Sequence, residues 1–145
     1  LTCVPDKKEE NGTHNLSVKS GVSEYESVYG LLSQSGENFP DWYTVFSKKI
    51  NNGFAKAVYK NIGGVSVSTA TATAIYNDVA IISGVYTSLG FRNKGYACEC
   101  VKGLLKQLYI SEVKKTYLWC ENKNISFYKK LGFTICGEVY CGDEI

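Results

Sequence analysis

Residues Phe91 to Ala97, FRNKGYA, set Arg92, Lys94 and Gly95 between a β-rich run and an amphipathic helical pattern. The start of a helix has N–H groups without intrahelical partners and carries the positive end of the macrodipole. Such a position stabilises anions, phosphate above all. Gly95 permits positive φ or a close approach of backbone to ligand, and the small Ala97 leaves the first turn uncrowded. A pyrophosphate would be wrapped here by main-chain donors. Taken alone, Arg-x-x-Gly-x-Ala is a weak pattern that favours a plain helix cap over a phosphate site.

Other candidate chemistry is sparse. Cys3, Cys98, Cys100, Cys120, Cys136 and Cys141 are even in number but lack the dense spacing of a small disulfide scaffold. Reduced, mostly buried thiols are expected, all six free. Cys98-x-Cys100 on a helix points two thiols to different sides, which makes a poor metal clamp, so no metal site is expected. The Asn11, Asn15 and Asn124 sequons would matter only in a secreted chain, and the lone His14 lies in a polar segment. A net charge of +2 gives no nucleic-acid footprint, so any anion site must be local.

The elements that must hold the turn follow from periodicity. At 145 residues, 44% hydrophobic and 21% charged, the chain fits one globular domain with its own core. No apolar stretch approaches the ~20 residues of a membrane span, and LTCVPDKKEENG has no apolar signal core, so a cytoplasmic protein without membrane attachment is expected. Residues 1–15 read as a linker or frayed arm, with 16–145 as the domain. The first residue is Leu and Met is absent, which suggests an excised piece whose N-terminal partner region is missing.

NLSVKS suits a short strand, and SEYESVYGLLSQSG a helix capped by Ser23, with Glu26 at capping-box spacing and a stop at Gly36. PDWYTVFSKKINNG suits a second helix with Pro40 in its first turn and Gly53 past its end. FAKAVYK, GVSVSTATATAIY and VAIISGVYTS are rich in β-branched and aromatic residues and are parted by Gly63-Gly64 and Asn77-Asp78, which predicts three antiparallel strands. After the turn, Ala97, Val101, Leu104, Leu105 and Leu108 mark a buried helical face, with Glu99, Lys102 and Lys106 toward water. KTYLWCE then predicts a buried strand, NKNISFYKKLG a short helix and FTICGEVY a final strand. The strand–helix–strand step from Val79 to Glu121 should be a right-handed crossover with parallel strands.

GVYTSLGFRNKGYACECVKGLL, followed by NKNISFYKKLGF, resembles the GNAT superfamily of acyl-CoA-dependent N-acetyltransferases. The resemblance covers roughly residues 16 to 140, and its specific part runs from 79 to 133. It implies an α+β fold: a mixed, mostly antiparallel sheet of about six strands with one splayed parallel pair and helices on both faces. It puts the family's Gln/Arg-x-x-Gly-x-Gly/Ala signature on Arg92, Gly95 and Ala97. The amides of the turn, including those of Asn93, Lys94 and Tyr96, would then hold the pyrophosphate of acetyl-CoA. It also implies that Val85, Tyr86 and Thr87 offer main chain to the pantetheine arm, with an N–H donating to the thioester oxygen as charge develops. The family's Tyr-x-x-x-Gly-Phe falls on Tyr128, Gly132 and Phe133. Its asparagine seven residues before the tyrosine is Glu121 here, which leaves Asn122 and Asn124 open between helix capping and cofactor contact.

Within that resemblance Tyr128 is the general acid for the departing thiolate, because a phenol of pKa ~10 stays protonated at neutral pH. No base stands out, since VAIISGVYTS has no carboxylate in its interior. Glu24, Glu26, Glu121 and Asp78 are the candidates, with Glu121 preferred for its place at a strand C-terminus. Tyr25, Tyr29, Trp42, Tyr43 and Phe46 either line an acceptor wall or form core. Two functions stay open: transfer of an acetyl group from acetyl-CoA to a small-molecule or peptide amine, or a CoA-binding module without turnover. A homodimer is left open.

Overall fold

The computed structural model describes residues 12–32 and 38–137. The elements run β1 (His14–Asn15), α1 (Val22–Leu32), α2 (Phe39–Asn51), β2 (Lys56–Ile62), β3 (Val65–Tyr76), β4 (Val79–Thr87), α3 (Tyr96–Ile110), β5 (Lys115–Leu118) and α4 (Ile125–Lys130). Contacts divide the described residues into one unit running to Trp119 and another starting at Cys120. None of the described helices is long and apolar enough to cross a membrane.

In the first unit the strands form a 5-stranded sheet in the order β1-β2-β3-β4-β5. The first four are antiparallel, and β4 pairs β5 in parallel. The predicted hairpins form where the turn chemistry allows them. Gly63 and Gly64 take φ of 58° and 82°, and Asn77 takes 53°, values that match the right-handed twist of the flanking strands. The sheet is therefore mixed and mostly antiparallel, as the resemblance implies.

Helices cover both faces, and β2 shows it residue by residue. Ala57 and Tyr59 join a buried cluster with Leu16, Tyr25, Val28 and Phe46, on the side of α1 and α2. Val58, pointing the other way, meets α3: a Cβ added to Gly103 would lie 3.3 Å from Val58 Cγ1 and 2.8 Å from Thr13 Oγ1. Alternate strand residues point to opposite faces, so α3 lies across the sheet from α1 and α2. β3 is accordingly buried without a break from Ser66 to Ala72, the mark of a strand covered on both sides.

Three local expectations are corrected. NLSVKS is not the first strand. The pairing lies earlier, with His14 opposite Tyr59 and Asn15 opposite Val58, inside the segment expected to be an arm. The serines of that stretch close a turn instead: Ser17 N donates to Ser20 Oγ at 2.9 Å and Lys19 N to Ser17 Oγ at 3.2 Å. Such hydroxyls offer the backbone an alternative to a ladder. At α1, Gly21 rather than Ser23 begins the helix, and Glu24 rather than Glu26 closes the box, since Gly21 N donates to Glu24 Oε2 at 2.6 Å. The expected stop at Gly36 lies outside the described residues. Finally, residues 133–137 form no strand, and the rest of FTICGEVY lies outside the described residues. The described sheet thus has one strand fewer than expected.

Glu24 does more than cap. Its other oxygen accepts the Tyr59 hydroxyl at 3.0 Å, tying α1 to β2. Burial first, then the hydrogen bond and charge of Glu24, pushes the Tyr59 hydroxyl up to about 12. A folded-state value above the ordinary ~10 means this stabilisation is complete below about pH 10 and is lost as pH rises toward the folded value. Tyr59→Phe should cost about 1 kcal/mol at neutral pH and remove that alkaline loss. Denaturant melts of both proteins across the alkaline range test it. An equal alkaline slope in the Phe variant would exclude Tyr59 as the source.

Candidate active site

The site begins where β4 leaves β5. Parallel pairing runs from Val79 with Lys115 to Ile82 with Leu118 and then stops, while β4 continues to Thr87 against β3 alone. The departure coincides with a register shift. Ile82 pairs with Ala72 one residue out of the register that holds on either side, which leaves Ser83 of β4 and Thr73 of β3 both without a ladder partner. Such a local break in the ladder gives β4 freedom to bend and twist at the point where it leaves β5. The Ser83 and Thr73 hydroxyls, 2.6 Å apart, bridge the break.

Beyond Ile82 no strand pairs with that edge of β4 among the described residues. Ser88 N donates to Val67 O at 2.8 Å on the β3 side. Main-chain groups alternate along an antiparallel ladder, so those of Tyr86 also face β3, while those of Val85 and Thr87 face the opened edge. The Thr87 carbonyl accepts from Arg92 Nε at 3.0 Å. Val85 is left with an N–H and a C=O aimed where an extended ligand can pair like a strand.

The turn follows at once. A single 3-10 turn, Leu89–Phe91, leads into Arg92. Asn93 takes φ of 63° and Gly95, at the N-cap of α3, takes φ of 84°, with Lys94 between them not left-handed. Alternation of this kind makes successive N–H groups converge on a concavity that suits an anion. The first bond into α3 is Glu99 N to Gly95 O at 3.0 Å. The amides from Asn93 to Cys98 donate to no acceptor among the described residues. The left-handed Asn93 was not foreseen from sequence, although asparagine is among the residues that tolerate it.

The two cations fold back onto aromatic rings. The Arg92 guanidinium carbon lies 5.5 Å from the Tyr86 ring centroid, and Lys94 Nζ lies 5.8 Å from that of Phe91. Main chain therefore dominates the cradle. Tyr96 and Ala97 are half-buried at the foot of α3.

Glu99 does not face water as expected. It is half-buried and pairs with Lys60 of β2 at 2.9 Å, because the register of β2 points Lys60 at α3. Cys100, fully buried behind it, has its thiol pushed up to about 11, first by desolvation, and stays protonated. All four described cysteines are free, yet only Cys100 is buried. Cys98 is half-buried, and Cys120 and Cys136 are exposed. Cys3 and Cys141 lie outside the described residues.

In the second unit a 3-10 turn, Asn122–Asn124, opens into α4. Neither asparagine uses its side chain as a cap, and both are exposed. Capping, one of the two readings for them, is therefore absent. Tyr128 is half-buried, packed edge-on to Phe127 at 5.0 Å and to Phe133 at 5.8 Å. Its carbonyl accepts from Phe133 N at 3.1 Å, beside the left-handed Gly132, so the Tyr-x-x-x-Gly-Phe motif is a helix end that fixes the tyrosine. Burial first, then the Cys120 thiol, raises the Tyr128 hydroxyl above its ordinary value.

The candidate bases fare unequally. Glu24 is occupied by Gly21 N and Tyr59. Asp78 sits at the turn that begins β4, roughly 20 Å along the strand from Val85. Glu121 is exposed and pairs with Lys123 at 3.0 Å, and Glu26 is exposed. Of the aromatic set, Tyr25 and Phe46 are core, while the half-buried Trp42 and Tyr43 pack against their cluster, with Trp42 stacked on Phe46 at 4.7 Å. Tyr29 lies edge-on to Phe39 at 5.4 Å in the same assembly.

A mixed sheet opened at one parallel edge, next to an amide cradle at a helix start, is the frame of an acyl-carrier-dependent transferase. The profile of the acetyltransferase (GNAT) family matches residues 24–133, and the chain belongs to that family. No curated protein matches its sequence significantly. Among solved structures it is similar to an acetyltransferase of Trypanosoma brucei, at 16% identity and a TM-score of 0.72 over 91% of this chain and 99% of that one. Glucosamine-6-phosphate N-acetyltransferase of Arabidopsis thaliana gives 16% and 0.72 over 91% and 97%. A predicted acetyltransferase of Clostridium acetobutylicum, solved with acetyl-CoA, gives 15% and 0.70 over 91% and 95%. At such identities the likeness is one of fold.

Proposed function

We propose that the chain is an N-acetyltransferase that moves the acetyl group of acetyl-CoA to a primary amine, by direct attack within a ternary complex. The observation that carries this is the continuity of two features on one stretch of backbone: the opened edge of β4 at Val85 and the amides from Asn93 to Cys98. Strand-like pairing suits the amide-containing pantetheine arm, and the cradle suits the pyrophosphate. A relative of this fold is crystallised with acetyl-CoA, and another is named for acetylating a sugar amine.

Acetyl-CoA supplies an activated acyl thioester. The chain's own work is to hold it and to manage charge. The Asn93 to Cys98 amides bind the diphosphate, with the Arg92 and Lys94 cations nearby. The Val85 N–H stabilises negative charge on the acyl oxygen in this reading, an interaction whose removal typically costs about 3 kcal/mol. Tyr128, a protonated phenol at neutral pH, donates a proton to the sulfur as the C–S bond breaks and regains one through the solvent that takes up the proton shed by the amine, a role that rests on the family motif. The acceptor is a small molecule or a peptide bearing an amine.

Thermal melting with CoA, followed by a thiol-release assay on an amine panel, tests the proposal. Saturation at about 100 Kd should stabilise the fold by about 2.7 kcal/mol and raise Tm by several degrees. Unchanged melting at millimolar CoA defeats it. Binding without thiol release on any amine reduces the chain to a CoA-binding module.

A further inference from the structure

Lys60 is the charged residue that the proposed chemistry leaves without a role. It is 5% exposed, on a central part of β2 that faces α3. Burying an ammonium is costly unless it is paired, so its partner is informative. One partner is Glu99, in the first turn of α3, with Lys60 Nζ 2.9 Å from Oε2. Oε2 is itself shielded from solvent and lacks hydrogen-bond geometry, so charge rather than a directed hydrogen bond holds it. The same ammonium lies 5.8 Å from the centroid of Tyr96, whose amide belongs to the cradle.

An acidic residue in a first turn normally favours the helix, because it meets the positive end of the dipole. Here it would also compete with an incoming phosphate for those amides. We infer that Lys60 is a positioning residue for the diphosphate of the cofactor: it cancels the charge of Glu99 beneath the cradle and keeps the amides from Asn93 to Cys98 electropositive. The inference rests on the cofactor reading above and adds a residue that the family motif does not contain. Neighbouring charges in a partly desolvated setting interact more strongly than in bulk water, and salt screens them poorly.

Calorimetric titration of CoA into the parent chain, Lys60→Met, Glu99→Gln and the double variant separates charge from structure. Lys60→Met, with Glu99 uncompensated, should weaken CoA on the order of tenfold. Glu99→Gln should bind as tightly as the parent or more tightly, and the double variant should return to within about threefold of the parent. A structural tie would act otherwise, since either single change breaks the same pair. If both singles weaken binding alike, in step with their loss of Tm, the inference is overturned while the cofactor reading stands. If the parent binds no CoA, both fall together. Should Lys60→Met not fold, the Glu99→Gln and double variants decide, and weaker binding by Glu99→Gln overturns the inference.

Discussion

Tyr128→Phe is expected to keep the melting temperature and acetyl-CoA affinity of the parent while turnover falls by about 10²-fold. That is about 3 kcal/mol of transition-state stabilisation, at 1.36 kcal/mol per tenfold. The substitution keeps the ring contacts with Phe127 and Phe133 and leaves untouched the carbonyl that accepts from Phe133 N. What it removes is a hydroxyl whose pKa is raised by burial and by the neighbouring Cys120 thiol. A raised pKa extends the protonated form upward in pH, so the parent should lose activity from this group only above pH ~10, a limb missing in the variant. Turnover within twofold of the parent, with chemistry shown to be rate-limiting, would remove Tyr128 as the acid. Loss of stability with an unchanged rate per folded molecule would make it a packing residue.

Gly95→Asp should weaken CoA binding by about 10²-fold, and Lys94→Ala by no more than about threefold. Gly95 sits at φ of 84°, a conformation that L side chains rarely adopt, and its surroundings leave open space for a Cβ. Strain and misplaced charge, not a clash, would therefore cause the loss. Gly95→Ala separates the two, since it carries the strain without the carboxylate and should fall between them. Lys94 is exposed and rests near the Phe91 ring, so its charge is screened. Titration of CoA into the three variants reads the order directly. Small and equal effects for Gly95→Asp and Lys94→Ala would mean that this turn is not the cradle.

Much of this was legible in the residues because the signals are local. Gly63, Gly64 and Asn77 supply the positive φ that tight hairpins require, and the three strands around them form as predicted. Val101, Leu104 and Leu108 repeat at helical spacing and are buried in α3. Gly95 at a helix start and Tyr128 before Gly132-Phe133 marked the two motifs before any coordinate placed them.

The sequence by itself therefore determined the family, most of the elements and the left-handed glycine at the start of α3, since each depends on a few neighbouring residues and their backbone preferences. Tertiary structure alone decided the rest. The break in the β3–β4 ladder at Thr73 and Ser83 and the end of β4–β5 pairing at Ile82 exist only between strands that the fold brings together. Glu24 was preferred to Glu26 at α1 because Tyr59 reaches it from a strand 35 residues away. Tyr25 and Phe46 became core because α1 and α2 close over the same face of β2. Glu99, polar at a position that the helical pattern gave to solvent, turned inward because the pleat of β2 aimed a buried Lys60 at it. Each outcome depends on partners far apart in the chain, and no local pattern contains the energy of a contact whose other half is elsewhere.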